Sequence, residues 1–168
     1  MKWKQHRLVT GVTVFCLTQN IPATLAAVEG SIFPDKIEQY MLGNWQSHHR
    51  KISHLLLLYV LLCSGLFFFI NYYGVFYTGT MFASIEQYLP SETISLSYIL
   101  INDSLNLAFW YFVGAICHLA EDFFCGGIPI WNPNKRIKLF RLFTVGNLSE
   151  YIVAYGWCIL IILYTYFI

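Results

Sequence analysis

The chain has 168 residues, of which 57% are apolar, 18% aromatic and only 11% charged, and its formal net charge is +1. Soluble domains carry roughly a quarter charged residues, so an ordinary soluble fold, a disordered segment and a nucleic-acid scaffold all fit badly. No basic tract is dense enough to hold a duplex, and the five cysteines are scattered singly, unlike a disulfide framework. What remains is a single integral membrane domain, residues 1–168, all-α in class.

The amino-terminal segment admits two readings. Met1 to Arg7 is basic, Leu8 to Leu17 is apolar, and Thr24-Leu25-Ala26-Ala27 offers the small residues of a cleavage site, as in a secretory signal peptide. The competing reading starts from Gln19-Asn20-Ile21-Pro22. Proline is tolerated in the first turn of a helix but stops one arriving from before it. The stretch 8–33 then becomes a hairpin of two short helices, 8–18 and 22–33. Each is roughly 15–18 Å long at ~1.5 Å per residue, too short for a ~30 Å hydrocarbon core, so both ends return to the same side.

Three candidate spans follow: Leu55 to about Tyr77, about Ile94 to His118, and about Tyr151 to Ile168. Each approaches or exceeds the ~20 apolar residues that a crossing needs. The second contains Asn102-Asp103-Ser104, read as structural glue or a helix break rather than a second functional site. With a non-crossing hairpin, residues 1–54 and 119–147 share one side, and all ten Lys and Arg residues lie there. The opposite loop, about 78–93, has only Glu86 and Glu92. Short cytoplasmic loops are enriched in Lys and Arg. The expectation is therefore a multi-pass protein with its amino terminus and basic face in the cytoplasm and its carboxyl terminus outside. A cleaved signal conflicts with this, because 28–54 would be exported with its basic residues.

The same topology brings metal-capable residues to the cytoplasmic face: His6, Asp35, Glu38, His48, His49, His54, His118, Glu121 and Asp122. His118 and Asp122 are four apart, so on a helix they project from one face, where an imidazole and a carboxylate can share an ion. Glu121 is rotated away and is the weaker candidate. His49 and His54 are five apart and fit one site only if a helix starts between them, with Ser53 as an N-cap. Plainer readings exist for each residue alone: an interfacial histidine is usually just hydrogen-bonded, and Asp35 after Pro34 can serve as a helix cap. The convergence of four of the five histidines with several carboxylates is what favours a metal site. The cysteines read as small buried hydrophobes in a reducing compartment.

The pieces in order are His6-Arg7-Leu8-Val9-Thr10-Gly11, Pro34-Asp35-Lys36-Ile37-Glu38 and His49-Arg50-Lys51-Ile52-Ser53-His54. They continue with Gly114-Ala115-Ile116-Cys117-His118-Leu119-Ala120-Glu121-Asp122 and Gly127-Ile128-Pro129-Ile130-Trp131-Asn132-Pro133. This arrangement resembles the bacterial membrane-bound metal-dependent hydrolase family (YdjM-like), which is distantly similar to zinc-dependent phospholipase C and P1 nuclease. The resemblance covers most of 6–136. It implies His6, Asp35, His49, His54, His118 and Asp122 as metal ligands or their supports. The common family form after the proline is Asp-x-Asp-His, whereas here it is Asp35-x-x-Glu38, which leaves the number of metals open.

A His and carboxylate donor set suits zinc, with manganese the alternative, over a soft thiolate site. Such an ion lowers the pKa of bound water to roughly 7 and polarises a phosphoryl oxygen. Glu38 or Glu121 would orient the water or act as general base. Arg50, Lys135 and Arg136 would hold an anionic group, or alternatively meet anionic headgroups among the membrane lipids. Gly126 to Trp131 would line an entrance or anchor the protein at headgroup level. The expected activity is hydrolysis of a phosphoester, with a lipid-derived one favoured over a soluble one, at the inner membrane's cytoplasmic face. The alternative is a non-enzymatic membrane protein whose metal site is structural or degenerate and which serves as a partner-binding subunit.

Overall fold

The structure, a computed structural model, describes residues 1–41, 52–72, 96–138 and 141–167. Six α-helices occupy most of them: α1 Trp3–Thr18, α2 Ile21–Gly30, α3 Phe33–Met41, α4 Leu56–Tyr72, α5 Leu96–Cys125 and α6 Leu148–Phe167. A 3-10 turn, Ile52–His54, precedes α4. A two-residue antiparallel ladder pairs β1, Ile128–Pro129, with β2, Arg136–Ile137, and is the one departure from an all-helical fold among the described residues.

α1 stops where the sequence breaks. Gln19 takes a left-handed conformation (φ 52°) and its N–H returns to the Phe15 carbonyl. The Asn20 side chain then caps α2 by accepting the Ala23 N–H at 3.0 Å, with Pro22 in the first turn. α1 and α2 lie side by side and run oppositely, since Arg7 reaches Glu29 at 2.9 Å and Gly11 faces Val28.

α2 meets α5 in direct backbone contact. A Cβ on Gly30 would sit 1.8 Å from the Tyr111 carbonyl oxygen, and one on Gly114 would sit 2.0 Å from that of Ala27. Small residues at helix crossings permit this approach. α1 packs in turn on α6, where Trp157 Nε1 donates to Thr13 Oγ1 at 2.9 Å. Beyond α5, the 126–138 loop folds back over the base of the bundle: Ile128 is buried with Tyr59, Ala115 and Leu119, and the Ile130 carbonyl accepts the Leu57 N–H at the start of α4.

Large apolar side chains cover much of the outside, and several ionisable ones are buried. Leu57, Leu61, Phe68, Ile152, Ile159 and Leu163 are exposed, while His6, His54, His118, Glu38 and Glu150 are fully or almost fully buried. Asp103–Cys125 and Leu148–Phe167, 23 and 20 residues long, are each long and apolar enough to cross a bilayer. The remaining expected span overlaps α4, a shorter apolar helix whose 17 residues end at Tyr72; positions 73–77 of that span lie outside the described residues. α5 runs unbroken through Asp103 and Ser104, so this polar triplet does not break the helix.

Candidate metal centre

His118 stands one helical turn beyond Gly114, so the close α2–α5 crossing carries its ring to the end of α2. There its Nδ1 lies 2.7 Å from the Ser31 carbonyl oxygen. A carbonyl only accepts, so Nδ1 carries the proton and Nε2 presents a lone pair. α3 begins immediately after and supplies Asp35 in its first turn and Glu38 one turn on. Glu38 Oε1 lies 3.0 Å from Nδ1 of His54 and is also bonded by Ser53 Oγ. Tyr59 fixes that turn by donating to the Ser53 carbonyl at 2.8 Å. A carboxylate against Nδ1 likewise turns Nε2 of His54 toward Asp35, Asp122 and His118.

The two Nε2 atoms face each other 3.3 Å apart. Asp35 Oδ1 lies 3.4 Å from His54 Nε2 and 3.6 Å from His118 Nε2. Asp122 Oδ2 lies 3.6 Å and 3.8 Å from the same two atoms. Four donors held tetrahedrally at ~2.0–2.1 Å from zinc would be ~3.3–3.4 Å apart. The donor set is therefore of the right chemistry and close to the right spacing for a divalent ion. Facing lone pairs repel, so a proton or a cation must lie between them. The triad Asp35, His54 and His118 could hold an ion, as could His6, His118 and Asp122.

The second triad is the more crowded. His6 Nδ1 contacts Glu121 Oε2 at 2.5 Å, and its Nε2 lies 3.1 Å from the Met1 carbonyl and 3.7 Å from Asp122 Oδ1. The terminal amine of Met1 meets that same Asp122 oxygen at 2.8 Å. Asp122 thus turns one oxygen to each triad.

Electrostatics separate the histidines. Burial holds the pKa of His6 well below its usual 6.5, with the neighbouring His118 and terminal amine adding to it. Burial also opposes the charged form of His54, but bonds to Asp35 and Glu38 and the charge of Asp122 outweigh it and raise its pKa above 6.5. Burial pushes Asp35 upward, yet His54 and His118 prevail and hold it below its usual 3.8.

A family model described as YdjM inner membrane protein matches residues 1–168. The chain belongs to that family. No curated protein and no solved structure matches the chain significantly. YdjM membership agrees with the apolar exterior and states a location, the inner membrane, without a reaction.

In this YdjM chain the expected residues His6, Asp35, His54, His118 and Asp122 come together, from α1, α3, the 3-10 turn and α5. His48, His49 and Arg50 lie outside the described residues. Glu38 and Glu121 are close by, but each stands behind an imidazole, against the Nδ1 of His54 and of His6 respectively. Lys135 and Arg136 are themselves exposed, in the outer half of the 126–138 loop. Ser53 bonds Glu38 instead of capping α4. Sequence reasoning missed three supports: the Ser31 carbonyl, the Met1 amine, and Trp3, whose Nε1 donates to Asp35 Oδ2 at 2.8 Å.

Proposed function

We propose that this YdjM protein is a metal-dependent hydrolase acting on a phosphoester at the cytoplasmic face of the inner membrane. One observation carries the reading: two imidazole nitrogens 3.3 Å apart have a carboxylate oxygen of Asp35 and one of Asp122 each 3.4–3.8 Å from both of them, while both Nδ1 atoms are engaged on the outer side. A zinc ion there, or manganese, would supply hydroxide at neutral pH and polarise a phosphoryl oxygen. His54, His118 and Asp35 would hold the ion, with Asp122 beside them. Asp35 has 16% side-chain exposure against 0–2% for the other three, so it marks the open side on which a substrate would arrive.

Glu38 and Trp3 position ligands rather than contact substrate. Arg50, Lys135 and Arg136 attract the anionic group. In the reaction the water oxygen bonds to phosphorus, the ester P–O bond breaks, and the proton from water ends on the departing alcohol.

The membrane arrangement proposed with it has a non-crossing α1–α2 hairpin and three spans, site inward. The hairpin tip supports this, because its polar groups are satisfied locally. Gln19 donates to the Cys16 carbonyl, Thr18 to Val14, Thr24 to Asn20, and Asn20 N–H to Thr18. Leu17, Ile21 and Leu25 around it are exposed. Backbone that turns within hydrocarbon requires such internal satisfaction.

One observation favours the second reading, a structural metal site in a partner-binding subunit. Asp122 stands 3.6–3.8 Å from both nitrogens of the Asp35–His54–His118 triad, and as a fourth protein donor it would close a tetrahedral site, whereas catalytic zinc usually keeps a position open for water. Metal content together with hydrolysis of bis(p-nitrophenyl) phosphate separates the two. Metal with hydrolysis supports the enzyme; metal without hydrolysis across a broad phosphoester panel supports the subunit.

A further inference from the structure

A groove of about 560 Å³ runs between α2 and α5, apart from the donor cluster. Its walls are Pro22, Leu25 and Ala26 on α2 and Leu107, Ala108 and Phe112 on α5. Tyr111 completes the lining, and its hydroxyl is the one polar side-chain atom there. Pockets of ~300–1,000 Å³ that take soluble ligands carry several convergent polar groups to fix orientation. A lining without them suits hydrocarbon.

The groove and the cluster lie on the same helix pair, the groove toward Pro22 and Leu107 and the cluster beyond Ser31 and His118. The Gly30–Tyr111 and Ala27–Gly114 contacts bring α2 and α5 together directly beside Ser31 and His118. From there the lining on α5 runs back from Phe112 to Leu107, roughly 9–17 Å along the helix from His118 at ~1.5 Å per residue. This stretch belongs to the apolar helix Asp103–Cys125. Leu25 is 61% exposed, so the groove opens sideways onto the apolar exterior. A phospholipid has a comparable layout, with a phosphoester at one end and, a glycerol unit away, acyl chains that lie at hydrocarbon depth.

We propose that the α2–α5 groove seats one acyl chain of the substrate, so that the substrate is a membrane phospholipid whose phosphoester reaches the His54–His118–Asp35–Asp122 cluster. The phosphoester half of this proposal rests on the hydrolase reading; the acyl seat rests on the groove alone. A chain already in the bilayer gains no hydrophobic transfer energy on entering the groove. What the groove supplies is orientation, which holds the ester at the cluster and raises turnover.

The test uses the full-length, zinc-loaded protein in phosphatidylcholine nanodiscs containing phosphatidic acid with a diazirine in one acyl chain. After irradiation, labelled peptides are mapped by mass spectrometry. Label is expected to concentrate on residues 22–26 and 107–112 and to fall severalfold in Ala108→Trp, which fills the groove; unchanged zinc content in that variant reports an intact fold. Ala26→Trp fills the opposite wall and serves if Ala108→Trp loses zinc. Hydrolysis of phosphatidic acid should drop about tenfold in either variant while hydrolysis of soluble bis(p-nitrophenyl) phosphate stays within about twofold. Label spread evenly over α4 and α6, or both substrates unaffected by the fillings, would overturn the proposal. So would a cross-link between two chains through the groove, which assigns it to a second copy. Groove labelling in a zinc-bound protein that hydrolyses neither substrate sinks the hydrolase reading and leaves a lipid-binding seat.

Discussion

The His118 ring can offer Nε2 to the cluster because its other nitrogen is committed to the Ser31 carbonyl, and His54 does the same through Glu38. Supports of this kind fix the tautomer and raise ligand basicity, and losing one typically costs 10–100-fold in metal affinity. Glu38→Gln keeps the shape but removes the charge, so zinc affinity measured by chelator competition should fall by roughly that factor. The pH dependence follows from the two shifted groups. In the metal-free chain, the pKa of His54 is raised above 6.5, so its contribution to stability is complete below 6.5 and lost as pH rises through the folded value. Asp35 is depressed below 3.8, so its contribution is present above 3.8 and lost as pH falls through the folded value. Zinc competes with the His54 proton. The zinc-induced rise in Tm should therefore grow as pH climbs from 6 to 8, and a shift independent of pH would contradict the assignment of His54. At this scale much was legible from sequence: the His118/Asp122 spacing and His54 stand where the pattern put them. Ser31 and Trp3 were not, since a carbonyl has no side-chain signature and Trp3 reaches Asp35 across 32 positions.

Among the elements, the α2–α5 crossing sets the site geometry. Gly30→Ala and Gly114→Ala each drive a Cβ into backbone oxygen, at 1.8 and 2.0 Å, where no side-chain rotation gives relief. Each should cost on the order of 1–3 kcal/mol and reduce zinc retention by shifting Ser31 away from His118. Gly65 lies in α4 with nothing within 4 Å of a built Cβ. Gly65→Ala should thus be neutral or raise stability by roughly 0.5–1 kcal/mol; thermal unfolding of the three variants in one detergent makes the comparison. The helix pattern and the break at Gln19–Pro22 could be read from hydrophobicity and proline alone. The crossing could not, because an Ala-Gly-rich helix reads the same whichever neighbour it approaches. The β1–β2 ladder was also unforeseen: it spans two residue pairs, too few for any alternation to register.

For the molecule as a whole, many large apolar side chains face outward while a cluster of ionisable ones lies buried within a largely apolar core, an arrangement that suits a bilayer. YdjM family membership agrees with that setting. The proposed topology places the 126–138 loop in the cytoplasm, and a cysteine replacing exposed Trp131 should react with an impermeant maleimide only after the inner membrane is opened. Labelling in intact spheroplasts would reverse the orientation. At the centre of the account is the claim that the buried donor cluster exists to hold a divalent ion. Elemental analysis of detergent-purified protein, wild type against the His54→Ala, His118→Ala double variant, tests it most directly. The account predicts about one zinc or manganese ion per chain, or more, lost from a variant whose helical circular dichroism is retained. A wild-type chain that carries no metal after incubation with zinc, or a double variant that retains it equally, would contradict the account.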